Sequence, residues 1–117
     1  MGTRFIATRE SLASDAYRQM LVASTADDVL LTRAFTGLPA NLLRPSIVAA
    51  GLDPRALPEA PAVDVARDLD PQGTASPFRR WKDLWSAGHS VSGVQTIGSV
   101  AELVDELAAQ YADAAVR

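Results

Sequence analysis

The chain of 117 residues contains no cysteine, and its one histidine is at position 89. The absence of cysteine excludes disulfide bonds, a thiolate nucleophile and a cysteine-based zinc site, and a single histidine leaves little room for metal ligation. No apolar run approaches the roughly 20 residues that a membrane-spanning helix needs. The N-terminal residues also lack the basic-then-apolar plan of a signal peptide. We therefore expect a cytoplasmic protein with no bound metal and no membrane partner.

Positive charge is not in excess, because 11 Lys and Arg residues stand against 14 Asp and Glu residues, and the net charge is −3. This balance argues against a nucleic-acid partner. The basic and aromatic run from Phe78 to Lys82 has the composition of a single-strand RNA contact, but it is short, and a solvated helix face is the better interpretation. With 48% hydrophobic and 21% charged residues, the composition is that of an ordinary folded domain.

The spacing of apolar residues predicts a largely helical chain with one clear strand. Residues 29–35 are the best strand candidate, and residues 3–7 are expected to form a strand end or extended turn. The last helix is marked by Ser99 and Glu102, which have the spacing of a capping box. Its apolar stripe comprises Val100, Leu103, Val104, Leu107 and Tyr111. The predicted helices are 11–24 (with Leu12 and Leu21 on its apolar face), 40–50 (interrupted or restarted at Pro45), 62–68, 78–85 and 100–115.

Residues 53–77 contain five of the seven prolines and are interpreted as a Pro-rich surface excursion. A single strand would have no ladder partner, and buried backbone N–H and C=O groups need partners. This favours an incomplete domain or a chain that associates with a partner, so either self-association or a loosely packed monomer is expected.

The N-terminal residues Met1, Gly2 and Thr3 are candidates for binding a phosphate group. Glycine allows a ligand to approach the backbone closely, and N–H groups ahead of a helix attract phosphate. The pair Gly2-Thr3 alone is weak evidence, since a small residue after the initiator Met is common.

A longer set of residues makes the interpretation more specific. In order and spacing, the chain resembles the nitronate monooxygenase (2-nitropropane dioxygenase-like) family, in which a Met-Gly-Thr-Arg-Phe turn after the eighth barrel strand holds the phosphate of FMN. The resemblance is dense over residues 1–50, thins through 51–77, and returns at Trp85–His89. The matching residues are Met1–Thr8, Glu10-Ser11, Ala16–Gln19, Thr32–Pro39 and Leu43-Arg44.

The second patch, Trp85–His89, resembles the family's Trp-x-Ala-Gly-Gln segment near the flavin. The resemblance implies that Ser86, Gly88 and His89 contact FMN, although His89 stands where Gln is usual. Imidazole can donate or accept a hydrogen bond, but its charge changes near neutral pH. A loop histidine bonded to solvent is the simpler interpretation, and we do not expect His89 to be a catalytic base.

The resemblance implies an α/β fold, specifically the C-terminal part of an FMN-binding (β/α)8 TIM barrel over residues 1–117. A complete barrel takes roughly 250 residues, so most strands and the family's upstream catalytic His are expected to be missing. The implied reaction is oxidation of an alkyl nitronate by dioxygen to a carbonyl compound and nitrite. No catalytic residue is predicted within the chain, which is expected to be inactive alone.

Two alternatives remain at this stage. FMN-dependent enoyl-acyl-carrier-protein reductases share the barrel and a similar Gly-Thr-Arg-Phe turn, although Thr32–Pro39 looks more like the monooxygenases. A non-catalytic, truncated helical protein is the alternative from another class, and the shortage of strands is its main support.

Overall fold

A computed structural model describes residues 1–35, 37–57 and 83–116 of the chain. The predicted helix 62–68, most of the excursion 53–77 and most of the predicted helix 78–85 lie outside these residues. The chain divides into two units, which we describe separately. The terminal unit comprises Met1–Ser24 and Ser90–Arg117, and the central unit comprises Thr25–His89.

The terminal unit begins with a short helix, α1, over Gly2–Ile6. The prediction that residues 3–7 are extended was therefore wrong. In the described part of this unit, the isolated parallel bridge between Thr8 and Gly98 is the only strand-type pairing. Residues 3–7 thus have no ladder to join, and a helical turn lets the backbone form hydrogen bonds locally, as in the 3.0 Å bond from the Arg4 N–H to the Met1 carbonyl.

The second helix, α2, covers Asp15–Ala23, so it starts later than the predicted segment 11–24. Ser14 is its N-cap, and the Ser14 hydroxyl accepts a 3.2 Å hydrogen bond from the Tyr17 N–H. Leu21 on this helix is fully buried, as predicted, whereas Leu12 is fully exposed because it lies before the cap.

The last helix of the terminal unit, which we call α4, covers Val100–Ala115 and confirms the predicted capping box. The Ser99 hydroxyl accepts a 3.1 Å bond from the Glu102 N–H, and Glu102 Oε2 accepts a 2.9 Å bond from the Ser99 N–H. The apolar stripe is only partly covered, since Leu103 is buried but Val104 and Tyr111 are exposed.

The central unit contains a two-stranded antiparallel sheet, with β1 at Val29–Thr32 and β2 at Ala40–Leu43. The register pairs Val29 with Leu43 and Thr32 with Ala40. The strand predicted at 29–35 is confirmed over its first part, but the prediction that it has no ladder partner was wrong. Residues 40–43, predicted to be helical, supply that partner.

Helix α3 covers Arg44–Ala49, with Pro45 in its first turn. Pro cannot donate a hydrogen bond within a helix, but its missing N–H costs nothing in the first turn. Pro45 therefore stands at the start of α3 rather than at a restart within a helix over 40–50, and the residues before it form β2. Gly51 follows the C-cap Ala50 and terminates the helix with a left-handed φ of 86°. The Gly51 N–H donates to Val48 and the Leu52 N–H to Ile47, at 2.9 and 3.1 Å, which is the Schellman pattern.

The core of the central unit lies where β2 and α3 meet the segment that follows residue 83. Leu43 and Ile47 have no exposed surface. Around Ile47, the buried cluster comprises Ala34, Phe35, Leu42 and Leu84. This packing brings residues 84–87 against β2, which determines the position of the second candidate patch.

Candidate functional site

The predicted phosphate-binding residues Met1, Gly2 and Thr3 lie at the start of α1. Met1 and Gly2 are exposed, and Thr3 is buried. A Cβ built on Gly2 would meet no atom within 4 Å. The backbone at Gly2 therefore borders open space, and a ligand could approach it closely there.

Helix α1 is joined to α4 by the side chain of Arg4. Its Nη2 lies 2.9 Å from Glu106 Oε1, and its Nη1 donates a 3.3 Å hydrogen bond to Gln110 Oε1. The Arg4 side chain is only 18% exposed, so this ion pair is better shielded from solvent than a fully exposed surface pair. The ion pair holds the first turn of the chain, including Gly2 and Thr3, against the last helix.

A cleft of about 560 Å³ lies between α1, the segment 93–98 and α4. Arg4 and Glu106 face it from opposite helices, and Glu102 and Gln110 complete much of its polar lining. The sequence does not predict this cleft. Arg4 belongs to the Met-Gly-Thr-Arg-Phe motif, but nothing in a single sequence marks Glu106 or Gln110 as its partner.

The segment after α1 is attached to the N-terminus of α4. The Arg9 N–H donates to the Gly98 carbonyl at 2.9 Å, and Glu10 Oε2 accepts a 2.8 Å bond from the Val100 N–H. The Arg9 guanidinium lies 3.7 Å from Glu102 Oε2. The hydrogen bond from the Ser99 N–H and then the charge of Arg9 hold the pKa of Glu102 below its ordinary value of 4.5. A carboxylate at a helix N-terminus is also favoured by the helix dipole.

The lowered pKa predicts that Glu102 contributes to stability above pH 4.5 and that this contribution is lost as the pH falls through the lowered value. We expect the chain to have a higher melting temperature than its Glu102→Gln variant at pH 7, and the difference to disappear in acid. Thermal unfolding between pH 7 and pH 3 measures this. Asp105→Asn, which removes a carboxylate elsewhere on the same helix, controls for net charge. A Glu102→Gln difference independent of pH would contradict the prediction.

The second predicted patch, Trp85–His89, lies beside β2 in the central unit. Leu42 forms an isolated antiparallel bridge with Ser86, and the Leu43 N–H donates a 2.8 Å bond to the Trp85 carbonyl. Ser46 adds a third connection, because its hydroxyl accepts a 3.1 Å bond from the Trp85 N–H. The start of the patch is thus fixed by backbone pairing and one buried hydroxyl.

The residues predicted to contact flavin follow this anchored point. Ser86 and His89 are exposed, and Gly88 is half-buried. His89 begins a 3₁₀ helix over His89–Gly93. Met1, Gly2 and Thr3 belong to the terminal unit, and Ser86, Gly88 and His89 to the central unit, so the structure brings together the members within each group.

Among the residues that the structure describes, no group of three or more His, Asp or Glu side chains could hold a metal ion. No helix among them is long and apolar enough to cross a membrane.

The sequence model of the nitronate monooxygenase family matches residues 1–110. The chain belongs to this family. The matched range includes residues 1–3 and 85–89, and the match confirms the resemblance to nitronate monooxygenases seen in the sequence. Nitronate monooxygenases form a flavin-dependent oxidoreductase family, and the small helix-and-strand fold described here is compatible with part of a domain of that family. Neither curated proteins nor solved structures gave a significant match to the chain.

Proposed function

We propose that the chain is the C-terminal segment of an FMN-dependent nitronate monooxygenase with a (β/α)8 barrel. The observation that carries the proposal is the family match over residues 1–110, nearly the whole chain. In this proposal, the enzyme oxidises alkyl nitronates with dioxygen to a carbonyl compound and nitrite. FMN, when bound, supplies the redox chemistry, and the protein supplies its placement and electrostatic surroundings.

The terminal unit would hold the phosphate of FMN through Gly2 and Thr3, with Met1 beside them. The open space at Gly2 supports this role, because no atom lies within 4 Å of where a Cβ would be. The Arg4–Glu106 ion pair at 2.9 Å holds the turn in place. Arg4 is thus engaged by Glu106, and we assign the phosphate contacts to the backbone and hydroxyl groups of residues 1–3.

The central unit would contribute the loop Ser86–His89 on the ring side of the flavin. Small residues in this loop let its backbone approach a flat ring closely. His89 is exposed, and its imidazole can donate or accept the hydrogen bond that Gln would make. The proposal gives His89 a binding role only and places no catalytic base within this chain.

The 117-residue chain alone is expected not to oxidise nitronates at an enzymatic rate, because the proposal places no catalytic base within it. Nitrite release and oxygen consumption would be measured with the purified chain, FMN and propyl nitronate, with FMN alone as the control. Turnover at a normal enzymatic rate would refute the proposal that this chain contains no catalytic base. Reduction of an enoyl thioester by a reduced nicotinamide would instead favour the reductase alternative.

A further inference from the structure

Ser46, on helix α3, connects to a segment far away in sequence. It has no exposed surface. Its hydroxyl donates a 2.7 Å hydrogen bond to the Leu43 carbonyl and accepts a 3.1 Å bond from the Trp85 N–H, 39 residues away. The hydroxyl therefore satisfies a backbone donor at the point where the flavin-side loop begins.

The surroundings of Ser46 indicate that its hydrogen bond with the Trp85 N–H does more than fill space in the core. Its neighbours Leu43 and Ile47 are fully buried apolar side chains, so an apolar residue would suit the position if filling space were the only need. A buried hydroxyl is costly without partners, and here its acceptor capacity serves Trp85. The Leu43 N–H holds the Trp85 carbonyl at 2.8 Å, so both backbone groups of Trp85 are fixed.

We propose that Ser46 is a positioning residue for flavin binding: it holds the loop Ser86–His89 against the isoalloxazine ring by fixing the backbone of Trp85. This inference rests on the proposed function. Ser46 would not touch the flavin itself. Its loss would remove the hydrogen bond from the Trp85 N–H to the Ser46 hydroxyl and let the residues that follow shift away from the ring.

The first test compares two flavins in titrations of the full chain followed by flavin fluorescence. FMN has the ring and the phosphate, whereas lumiflavin has the ring alone. Ser46→Ala should weaken binding of both by about five-fold, the factor that corresponds to roughly 1 kcal/mol for one net hydrogen bond. Thr3→Ala should weaken FMN binding and leave lumiflavin binding unchanged.

Ile47→Val is the matched control, because it trims the neighbouring, equally buried side chain without removing the bond to Trp85. All variants are compared at a temperature at which near-ultraviolet circular dichroism shows them folded. Ser46→Thr retains the hydroxyl and should recover ring binding relative to Ser46→Ala. A purely structural role for Ser46 predicts that Ile47→Val and Ser46→Ala weaken lumiflavin binding alike.

Hydrogen exchange of the Trp85 amide gives a readout that does not depend on flavin. This amide should exchange faster in Ser46→Ala than in Ile47→Val. If the unsubstituted chain binds no flavin, both the proposed function and this inference fall. If the chain binds FMN and lumiflavin but Ser46→Ala binds lumiflavin equally well, only this inference is overturned.

Discussion

Replacing Ile47 with Ala should lower the free energy of unfolding of the central unit by about 2–5 kcal/mol, the range for large-to-small changes in a core. Ile47 has no exposed surface and lies within the cluster of Phe35, Leu42 and Leu84. The substitution removes buried apolar atoms from this cluster and leaves a cavity. Because small domains are stable by only about 5–15 kcal/mol, this single change removes a large share of the stability.

Chemical denaturation followed by circular dichroism would measure the effect of Ile47→Ala. Val48→Ala is the control, since Val48 is adjacent on the same helix but 60% exposed. A surface change of this kind should cost no more than about 0.5 kcal/mol. Equal losses in the two variants would show that β2 and α3 do not pack around Ile47 as described.

Thr3→Ala should weaken FMN binding by about 1.5–3 kcal/mol, or about 10- to 150-fold, the range for a hydrogen bond to a charged group. This follows from the proposal that the Thr3 hydroxyl contacts a phosphate oxygen. Riboflavin, which lacks the phosphate, should bind the chain and the Thr3→Ala variant equally. An equal loss of FMN and riboflavin affinity would mean that Thr3 acts through the fold of α1.

Gly2→Val tests the same contact by filling the space where phosphate would approach the backbone. We expect FMN affinity to fall and riboflavin affinity to change little. Gly93→Val is the matched control, because a Cβ at Gly93 also meets no atom within 4 Å and Gly93 is outside the proposed flavin contacts. Equal FMN binding by the Gly2→Val and Gly93→Val variants would remove Gly2 from the phosphate site.

Features fixed by local sequence could be predicted from the chain alone. The capping box at Ser99 and Glu102 involves residues three apart, and its backbone and side-chain bonds form within one turn. Pro45 similarly indicates the start of a helix, since its ring is poorly tolerated at an interior position of a helix. These signals depend on covalent geometry and nearest neighbours, which a sequence shows directly.

Long-range pairing could not be predicted in the same way. The residue pattern at 40–43 does not favour a strand over a helix. These residues form β2 because their backbone pairs with β1. Residues 3–7 were expected to be extended and are helical for the opposite reason, since the described part of their unit offers them no ladder. Tertiary context therefore determines the secondary structure of both segments.

The candidate site shows the same contrast between local signals and long-range contacts. Motif resemblance made Gly2, Thr3 and the loop Ser86–His89 candidates, and the family match confirms the resemblance itself. The groups that support them were not found. Arg4 meets Glu106, and Ser46 meets Trp85, across 39 residues in the second case. No periodicity in the sequence links such partners.

A fluorescence titration of FMN with the purified 117-residue chain, with riboflavin titrated in parallel, tests whether residues 1–3 hold the phosphate of a flavin. We expect saturable binding of FMN, weaker binding of riboflavin, and loss of that difference in the Thr3→Ala variant. Absence of saturable FMN binding, or equal affinity of the unsubstituted chain for FMN and riboflavin, would contradict the proposal that residues 1–3 hold the phosphate of a flavin.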